Sequence, residues 1–422
     1  MLAFAGSGLS AAQTQAPPLS APIWLVETWL PDGVAQITAS QSGDTAAAPA
    51  SITKLLTAYT VLHAVRAGDL RLDDTLTVSA RATQQDGTRV GYRVGETVRV
   101  SDALQGLLAI SGNDAAWALA ERVSAGTQAV STGVVAKDIA GADISPFLSA
   151  MRVLSASLGL KQSQWHNPHG LTEPEPAPSN QSSAADLLRI ARALWFEFPA
   201  ARPWLGVKSY TWNGQTQANR NGLLYRSPMF GSPIYSSPMY GSPLTAGIQV
   251  DGLKTGHTEA AGYNLAASSV QTWQLGADTF DWRVSTVVLG AASSAQRTAD
   301  SAALMLWARE NATPYRLYRK GDALGSVKVA GATQPVAVFA REAIWAVLPK
   351  GVTPQSSLLN LRYELVALAS TAPLPAGQVL GQVRVLSGGQ LLATGVAVNT
   401  APIERAGLLT RWWLGLKSAF KL

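Results

Sequence analysis

Three short groups of residues carry side chains suited to nucleophilic chemistry. Ser51-Ile52-Thr53-Lys54 sets a hydroxyl and an amine three residues apart, and on a helix that spacing puts both on one face. A serine in the first turn lies near the positive end of the helix dipole. A lysine one turn on accepts its proton once burial or a second cation lowers the ammonium pKa. Ser111-Gly112-Asn113 offers a hydroxyl and an amide at a break between two apolar segments. Lys254-Thr255-Gly256 supplies a cation and a hydroxyl for a carboxylate, with a glycine that lets the backbone approach a ligand closely.

Singly, each group has a plainer explanation. S-x-x-K recurs at Ser418–Lys421 in a basic tail, where it implies no chemistry. An S-x-N turn serves as a helix cap, and K-T-G as an ordinary strand end. The last two occur once each, however, and all three stand in one order along the chain. That order supplies a nucleophile, its base, a polar turn and a cradle for a carboxylate.

The elements needed to position them are legible. Ser51–Arg66 is expected as a helix with Leu55, Leu56, Tyr59 and Leu62 on one side and Gly68 as its stop. Ser101 is the expected N-cap of a helix over Ala103–Ile110, and a second helix follows near Ala115–Val123. Ser182 or Ser183 caps another, with Asp186 in its first turn. Ile23–Thr28 and Ala35–Ala39 flank Pro31-Asp32-Gly33 as a hairpin. Gly247–Lys254, Gly262–Val270 and Trp282–Gly290 read as strands, the first two antiparallel, with a helix over Arg297–Trp307 packed back on them. Between helix and strand signals, Ser-Pro recurs every five residues from Ser227 to Pro243, a density that forbids helix and central strand. Past residue 312, short strands and glycine turns replace helical patterns.

Longer stretches around the three groups resemble the low-molecular-mass penicillin-binding proteins, the D-alanyl-D-alanine carboxypeptidase family. They are Pro49–Leu55, Ser111-Gly112-Asn113-Asp114-Ala115, His169-Gly170-Leu171, Asn219–Leu224, Asp251–Thr258 and Ala261–Leu265. The resemblance spans about residues 23–310, with 227–243 and 131–147 as insertions. It implies an α+β catalytic domain, an antiparallel sheet packed with helices plus a helical subdomain, over 23–311. A small all-β domain over 312–400 and an amphipathic membrane-anchor helix over 401–422 follow, and residues 1–22 form a signal-like segment and linker. It also implies roles. Ser51 is the nucleophile, Lys54 its general base and Ser111 a proton relay. Asn113 binds the substrate amide, and Lys254, Thr255 and Gly256, with Arg220, hold the terminal carboxylate. The N–H groups of Ser51 and His257 form an oxyanion hole, worth about 3–4 kcal/mol per donor. The implied substrate is the peptidoglycan pentapeptide, with β-lactams as acylating mimics and no metal or cofactor. A D,D-endopeptidase shares this chemistry. A class A β-lactamase would want S-D-N in place of Ser111-Gly112-Asn113 and a deacylating glutamate, where only Glu173 and Glu175 stand in a proline-rich stretch. A non-catalytic peptidoglycan-binding protein would not need the full set of reactive residues.

Composition agrees with this frame. With 47% hydrophobic and 14% charged residues, the 422-residue chain can build a large core and shows no signature of disorder. Cysteine is absent and histidine is confined to His63, His166, His169 and His257, so thiol, His-cluster metal and Ser-His-Asp chemistry lack their residues. His169 reads as a packed loop histidine. The net charge of +6 is concentrated at the C-terminus, in Arg405, Arg411, Lys417 and Lys421, which argues against nucleic acid as a partner. On a helical wheel Leu408, Leu409, Trp412, Trp413, Leu416 and Phe420 share one side and Arg411, Lys417 and Lys421 the other. That is the pattern of an interfacial helix on an anionic membrane surface. Leu2-Ala3-Phe4-Ala5 and Ser10-Ala11-Ala12 resemble the end of a secretory signal, although no Lys or Arg precedes Lys54. The expected location is the periplasm, on the outer face of the cytoplasmic membrane.

Overall fold

The computed structural model describes residues 16–30, 35–132, 141–225, 248–275 and 278–407. These divide into two compact units. One takes Ala16–Trp29 and Ile37–Arg309, the other Leu30–Gln36 and the chain from Glu310 onward.

In the first unit, strands β1 (Ile23–Trp29) and β2 (Ala35–Gln41) precede helix α1 (Lys54–Ala67). A short ladder of β3 (Thr75–Thr77) and β4 (Thr97–Arg99) flanks α2 (Ala80–Thr83). Helices α3 (Val100–Ala109), α4 (Asn113–Thr132), α5 (Ser145–Ser157), α6 (Ala184–Glu197) and α7 (Arg202–Leu205) lead to a hairpin of β5 (Ser209–Trp212) and β6 (Gln215–Ala218). Long strands β7 (Ile248–Thr258), β8 (Gly262–Leu275) and β9 (Asp278–Ala291) and helix α8 (Ser294–Asn311) complete it. The five strands order as β2-β1-β9-β8-β7. The pairs β1–β9, β8–β9 and β7–β8 are antiparallel, with Lys254 opposite Ala266 and Gly256 opposite Asn264. This is the expected α+β arrangement, with β7 carrying Lys254-Thr255-Gly256 at the sheet's edge.

Helix α1 differs from expectation in two ways. Residues Lys54 through Leu62 are all buried, so no polar face remains. The helix runs through the middle of the unit, in contact with α3, α4, α5 and α6. Its polar residues are satisfied internally, Thr57 Oγ1 donating to Pro168 O at 2.6 Å and Thr60 Oγ1 to Leu56 O at 2.8 Å, as burial demands. Its first turn, Ala50–Thr53, is also a 3-10 turn rather than α-helix. The stop is as expected, Gly68 at φ +86°.

Helix α3 starts earlier than expected, at Val100, and Ser101 is not its cap. The orphan N–H groups of its first turn go instead to another loop: Val100 N donates to Asp74 O and Ser101 N to Leu72 O. The cap of α6 is Ser183, whose side chain accepts from Asp186 N.

The second unit pairs β10 (Ala312–Tyr318) with β13 (Ile344–Pro349). It also holds a five-stranded sheet, β11-β12-β16-β15-β14, made of β11 (Ala323–Val327), β12 (Val336–Ala340), β14 (Leu361–Ala367), β15 (Val379–Ser387) and β16 (Gln390–Val398). It is all-β, as read from sequence. The C-terminal helix expected over 401–422 does not begin at 401, since residues 401–407 are not helical. Ile403 exchanges both backbone bonds with Leu374, Ala406 N donates to Gly331 O, and the Ile403 side chain is buried in the unit's core. Those contacts claim residues 403–406 for the β unit. The rest of the amphipathic stretch, the Ser-Pro repeat, the Pro31-Asp32-Gly33 turn and the signal-like residues lie outside the described residues.

Candidate active site

The nucleophile comes first. Lys54 Nζ donates to Ser51 Oγ at 2.8 Å and to His169 O at 2.7 Å. Ser51 sits in the 3-10 turn and Lys54 begins α1, so the two side chains meet one turn apart, as the spacing requires. The turn is pressed from both sides by glycines. A Cβ on Gly170 (φ +82°) would come within 1.9 Å of Ala50 O, and one on Gly256 within 2.8 Å of Pro49 O and 3.1 Å of Ser51 N. Backbone from the His169 loop and from β7 therefore lies directly on the serine turn. Ala50 itself holds φ +48°, an uncommon conformation for a residue with a Cβ.

The His169 loop is fixed by two asparagines that sequence reasoning left without a role. Asn180 Oδ1 accepts from His166 N at 2.7 Å and Asn167 N at 3.1 Å, and its amide donates to Thr53 Oγ1 at 3.2 Å. Asn167 Oδ1 accepts from Gly170 N at 2.7 Å, and Asn167 Nδ2 donates to Glu173 at 2.9 Å. Glu173, the acid a β-lactamase would aim at a water, is thus engaged in the scaffold. The His169 ring is packed, as expected: it is buried, its centroid 5.9 Å from that of Trp117 and nearly parallel to it. The residue's carbonyl, not its ring, contacts Lys54.

The second group lies at the break between α3 and α4. Ser111 is buried with φ +72°, and Asn113 is the first residue of α4. Asn113 Nδ2 donates to Asp86 O at 2.5 Å, and Asn113 Oδ1 is buried with no partner among the described residues. The bond to Asp86 O fixes which end of the amide is nitrogen, and leaves its oxygen free to accept.

The third group lies on β7. Lys254 and Thr255 are buried, Lys254 Nζ donating to Thr255 O at 2.9 Å, whereas His257 is exposed beside Tyr263 at 4.0 Å between ring centroids. Arg220 is exposed on the loop before the 3-10 turn Gly222–Leu224. That loop is tied to β7 by Asn221 Nδ2 donating to Gly252 O at 3.0 Å. Arg297 of α8, given no role from sequence, donates to Gly256 O at 3.1 Å, Asn264 O at 3.4 Å and Arg220 O at 3.3 Å. It holds the β7 edge, its neighbour strand and the Arg220 loop in one register.

Electrostatics separate the two buried lysines. Burial, with the charges of Lys254 and Arg220 adding to it, pushes the Lys54 ammonium well below its ordinary value, against a smaller upward pull from Asp114. Burial, then Arg297 and Arg220, brings Lys254 down to about 7. Lys254 acts on Lys54 as a cation, so Lys54 is the first of the pair to be neutral and Lys254 the one that keeps its charge. A neutral amine beside a hydroxyl can take its proton, and a charged one can hold a carboxylate. Burial and the Lys54 charge likewise lower His169 to about 3, leaving its ring neutral.

The pH profile follows with its sign. With Lys54 as base, its protonation should make kcat/KM fall on the acid side. With Lys254 as carboxylate grip, its deprotonation should make kcat/KM fall as pH rises through about 7. A bound carboxylate raises the Lys254 pKa, so the alkaline limb of kcat should lie at higher pH than that of kcat/KM. Lys254→Arg should abolish the alkaline limb; a profile unchanged by that substitution would assign it elsewhere.

All nine residues singled out from sequence fall on these elements. The structure brings together Ser51, Lys54 and Gly256 by direct contact. Asp114, Asn167, Asn180 and Arg297 are added to them. Comparison with known proteins identifies the family. Residues 32–231 match the family model described as D-alanyl-D-alanine carboxypeptidase, and residues 313–405 that of the penicillin-binding protein 5 C-terminal domain. The chain is 30% identical over 370 residues to D-alanyl-D-alanine carboxypeptidase DacD of Salmonella typhimurium, covering 86% of this chain and 82% of that protein. It is 30% identical over 422 residues to DacC of Escherichia coli, covering 97% and 91%. Its fold matches the crystal structure of penicillin-binding protein 5 from Haemophilus influenzae with a TM-score of 0.67 at 27% identity, over 93% of this chain and 100% of that one. With its catalytic and C-terminal units both accounted for, the chain belongs to the D-alanyl-D-alanine carboxypeptidase family of low-molecular-mass penicillin-binding proteins.

Proposed function

We propose that this protein is a serine-type carboxypeptidase that removes the terminal D-alanine from peptidoglycan pentapeptide stems and is acylated by β-lactams. The observation that carries this is the 2.8 Å contact between Lys54 Nζ and Ser51 Oγ, made by a fully buried amine whose surroundings favour its neutral form.

Lys254, Thr255 and Arg220 hold the terminal carboxylate, and Asn113 Oδ1 accepts from a substrate amide N–H. Ser51 Oγ attacks the carbonyl carbon of the penultimate D-alanine while its proton passes to Lys54 Nζ. The oxyanion is met by the N–H groups of Ser51 and His257. The C–N bond then breaks, and Ser111 relays the proton from Lys54 to the departing amine. Water adds to the ester and regenerates Ser51, releasing the shortened peptide. A β-lactam forms the same ester from its ring carbonyl, and its leaving nitrogen stays tethered.

Purified protein should release D-alanine from monomeric pentapeptide muropeptide and leave cross-linked dimers intact. Cleavage of dimers at a matching rate would make it an endopeptidase, and no reaction with either substrate would sink the enzyme reading.

The protein works, on this proposal, in the periplasm at the outer face of the cytoplasmic membrane, with the stretch from Leu408 as its attachment. No helix among the described residues is long and apolar enough to cross a membrane. The two tryptophans and the cations of that stretch suit an interfacial helix. Deleting 408–422, and sparing the 403–406 contacts, should move the protein from the membrane pellet to the soluble fraction with carboxypeptidase activity intact. Unchanged pelleting would place the attachment elsewhere.

A further inference from the structure

We propose that Asp114 and Gln217 are positioning residues that clamp the segment Asp86–Tyr92 onto the Ser111–Asn113 turn, and that this clamp sets how Asn113 meets the substrate amide. The inference deepens the carboxypeptidase proposal and rests on it.

Asp114 is fully buried, and a buried carboxylate must be compensated by donors. Its oxygens accept from the backbone N–H groups of Val90 at 2.8 Å, Gly91 at 2.9 Å, Tyr92 at 3.3 Å and Ala115 at 2.9 Å. From the other flank, Gln217 of the β5–β6 hairpin donates to Arg89 O at 3.0 Å and Val90 O at 3.2 Å. Val90 lies over two glycines: a Cβ on Gly106 or Gly112 would come within 2.7 or 2.6 Å of its Cγ2. The clamped segment in turn carries both acceptors that orient Asn113. Thr88 O takes its backbone N–H at 2.7 Å, and Asp86 O takes its side-chain amide. Shift Asp86 O and the Asn113 amide loses its reason to point its oxygen at the substrate. Asp114 also raises the Lys54 pKa through its charge, whereas Gln217 carries none.

Asp114→Asn and Gln217→Ala test this. Asparagine presents N–H groups where backbone N–H groups already point, so one side of the clamp opens. In each variant KM for pentapeptide should rise about tenfold with kcat changed less than about threefold, the mark of lost ground-state positioning. Trypsin should cut after Arg89, exposed on this segment, and after Arg93, exposed next to its end, about tenfold faster than in the unaltered protein, because local opening has become easier. In Asp114→Asn alone, the acid limb of kcat/KM should move to lower pH, since a negative charge that favoured protonated Lys54 is gone. Wild-type KM and wild-type trypsin resistance in both variants would overturn the clamp. If Asp114→Asn does not fold, Gln217→Ala decides by the same two measurements. Should the unaltered protein itself fail to release D-alanine, the functional proposal falls, and trypsin sensitivity still judges the clamp.

Discussion

Ser51→Ala should abolish covalent labelling by a fluorescent penicillin and reduce D-alanine release by roughly 10⁴- to 10⁶-fold, the scale seen when a catalytic nucleophile is removed. Because Lys54 also donates to His169 O at 2.7 Å, it retains a partner when the serine hydroxyl is gone, and the fold should survive. The more telling experiment is the double variant. In the proposed mechanism Lys54 and Ser51 act as one unit in proton transfer, so Lys54→Ala should cost nearly as much as Ser51→Ala, and combining them should cost little more than either. Additive losses would mean that Lys54 contributes something other than deprotonation of Ser51. Penicillin labelling that persists in Ser51→Ala would move the nucleophile to another residue altogether.

The second large effect is steric. Gly170→Ala should destabilise the catalytic unit by more than about 3 kcal/mol, or suppress acylation at least 100-fold, because the new methyl would sit 1.9 Å from Ala50 O and 2.7 Å from Thr53 Oγ1. These atoms belong to the turn that carries Ser51, so relief of the clash must move the nucleophile. Gly68 is the matched control. It too has φ near +86°, but a Cβ there meets nothing within 4 Å, so Gly68→Ala should cost only about 1 kcal/mol of backbone strain. Denaturant midpoints for the two variants, read beside penicillin acylation rates, separate clash from conformational strain. Equal effects at both positions would refute the idea that the His169 loop props up the serine turn.

How much of this site was legible depended on the range of each interaction. Ser51 and Lys54 were readable because their contact is made within one helical turn, where spacing alone fixes proximity. Lys254–Gly256 was readable because the strand signal around it was strong and the glycine marked a close approach. Asn167, Asn180, Asp114 and Arg297 were not. Asp114, Asn180 and Arg297 act on segments distant in sequence, up to 127 residues away for Asn180 and Thr53, Asn167 acts by closing its own loop, and such partners follow from the fold rather than from residue type. The same distinction explains the misjudged helix details. The Ser101 cap was outcompeted by carbonyls of Leu72 and Asp74, and the one-sided pattern of α1 was overridden by its passage through the centre of the unit.

Two buried amines also bear on how durable the molecule is. Both are depressed on folding, Lys254 to about 7, so between that value and its ordinary one the unfolded chain holds a proton that the native state does not. The native state therefore gains on its competitor as the medium becomes alkaline through that window and forfeits the gain on acidification. A guest that brings its own negative group to Lys254 offsets that handicap. The pair of buried lysines is thus a weak point of the architecture, and one that an anionic substrate or antibiotic mends on arrival.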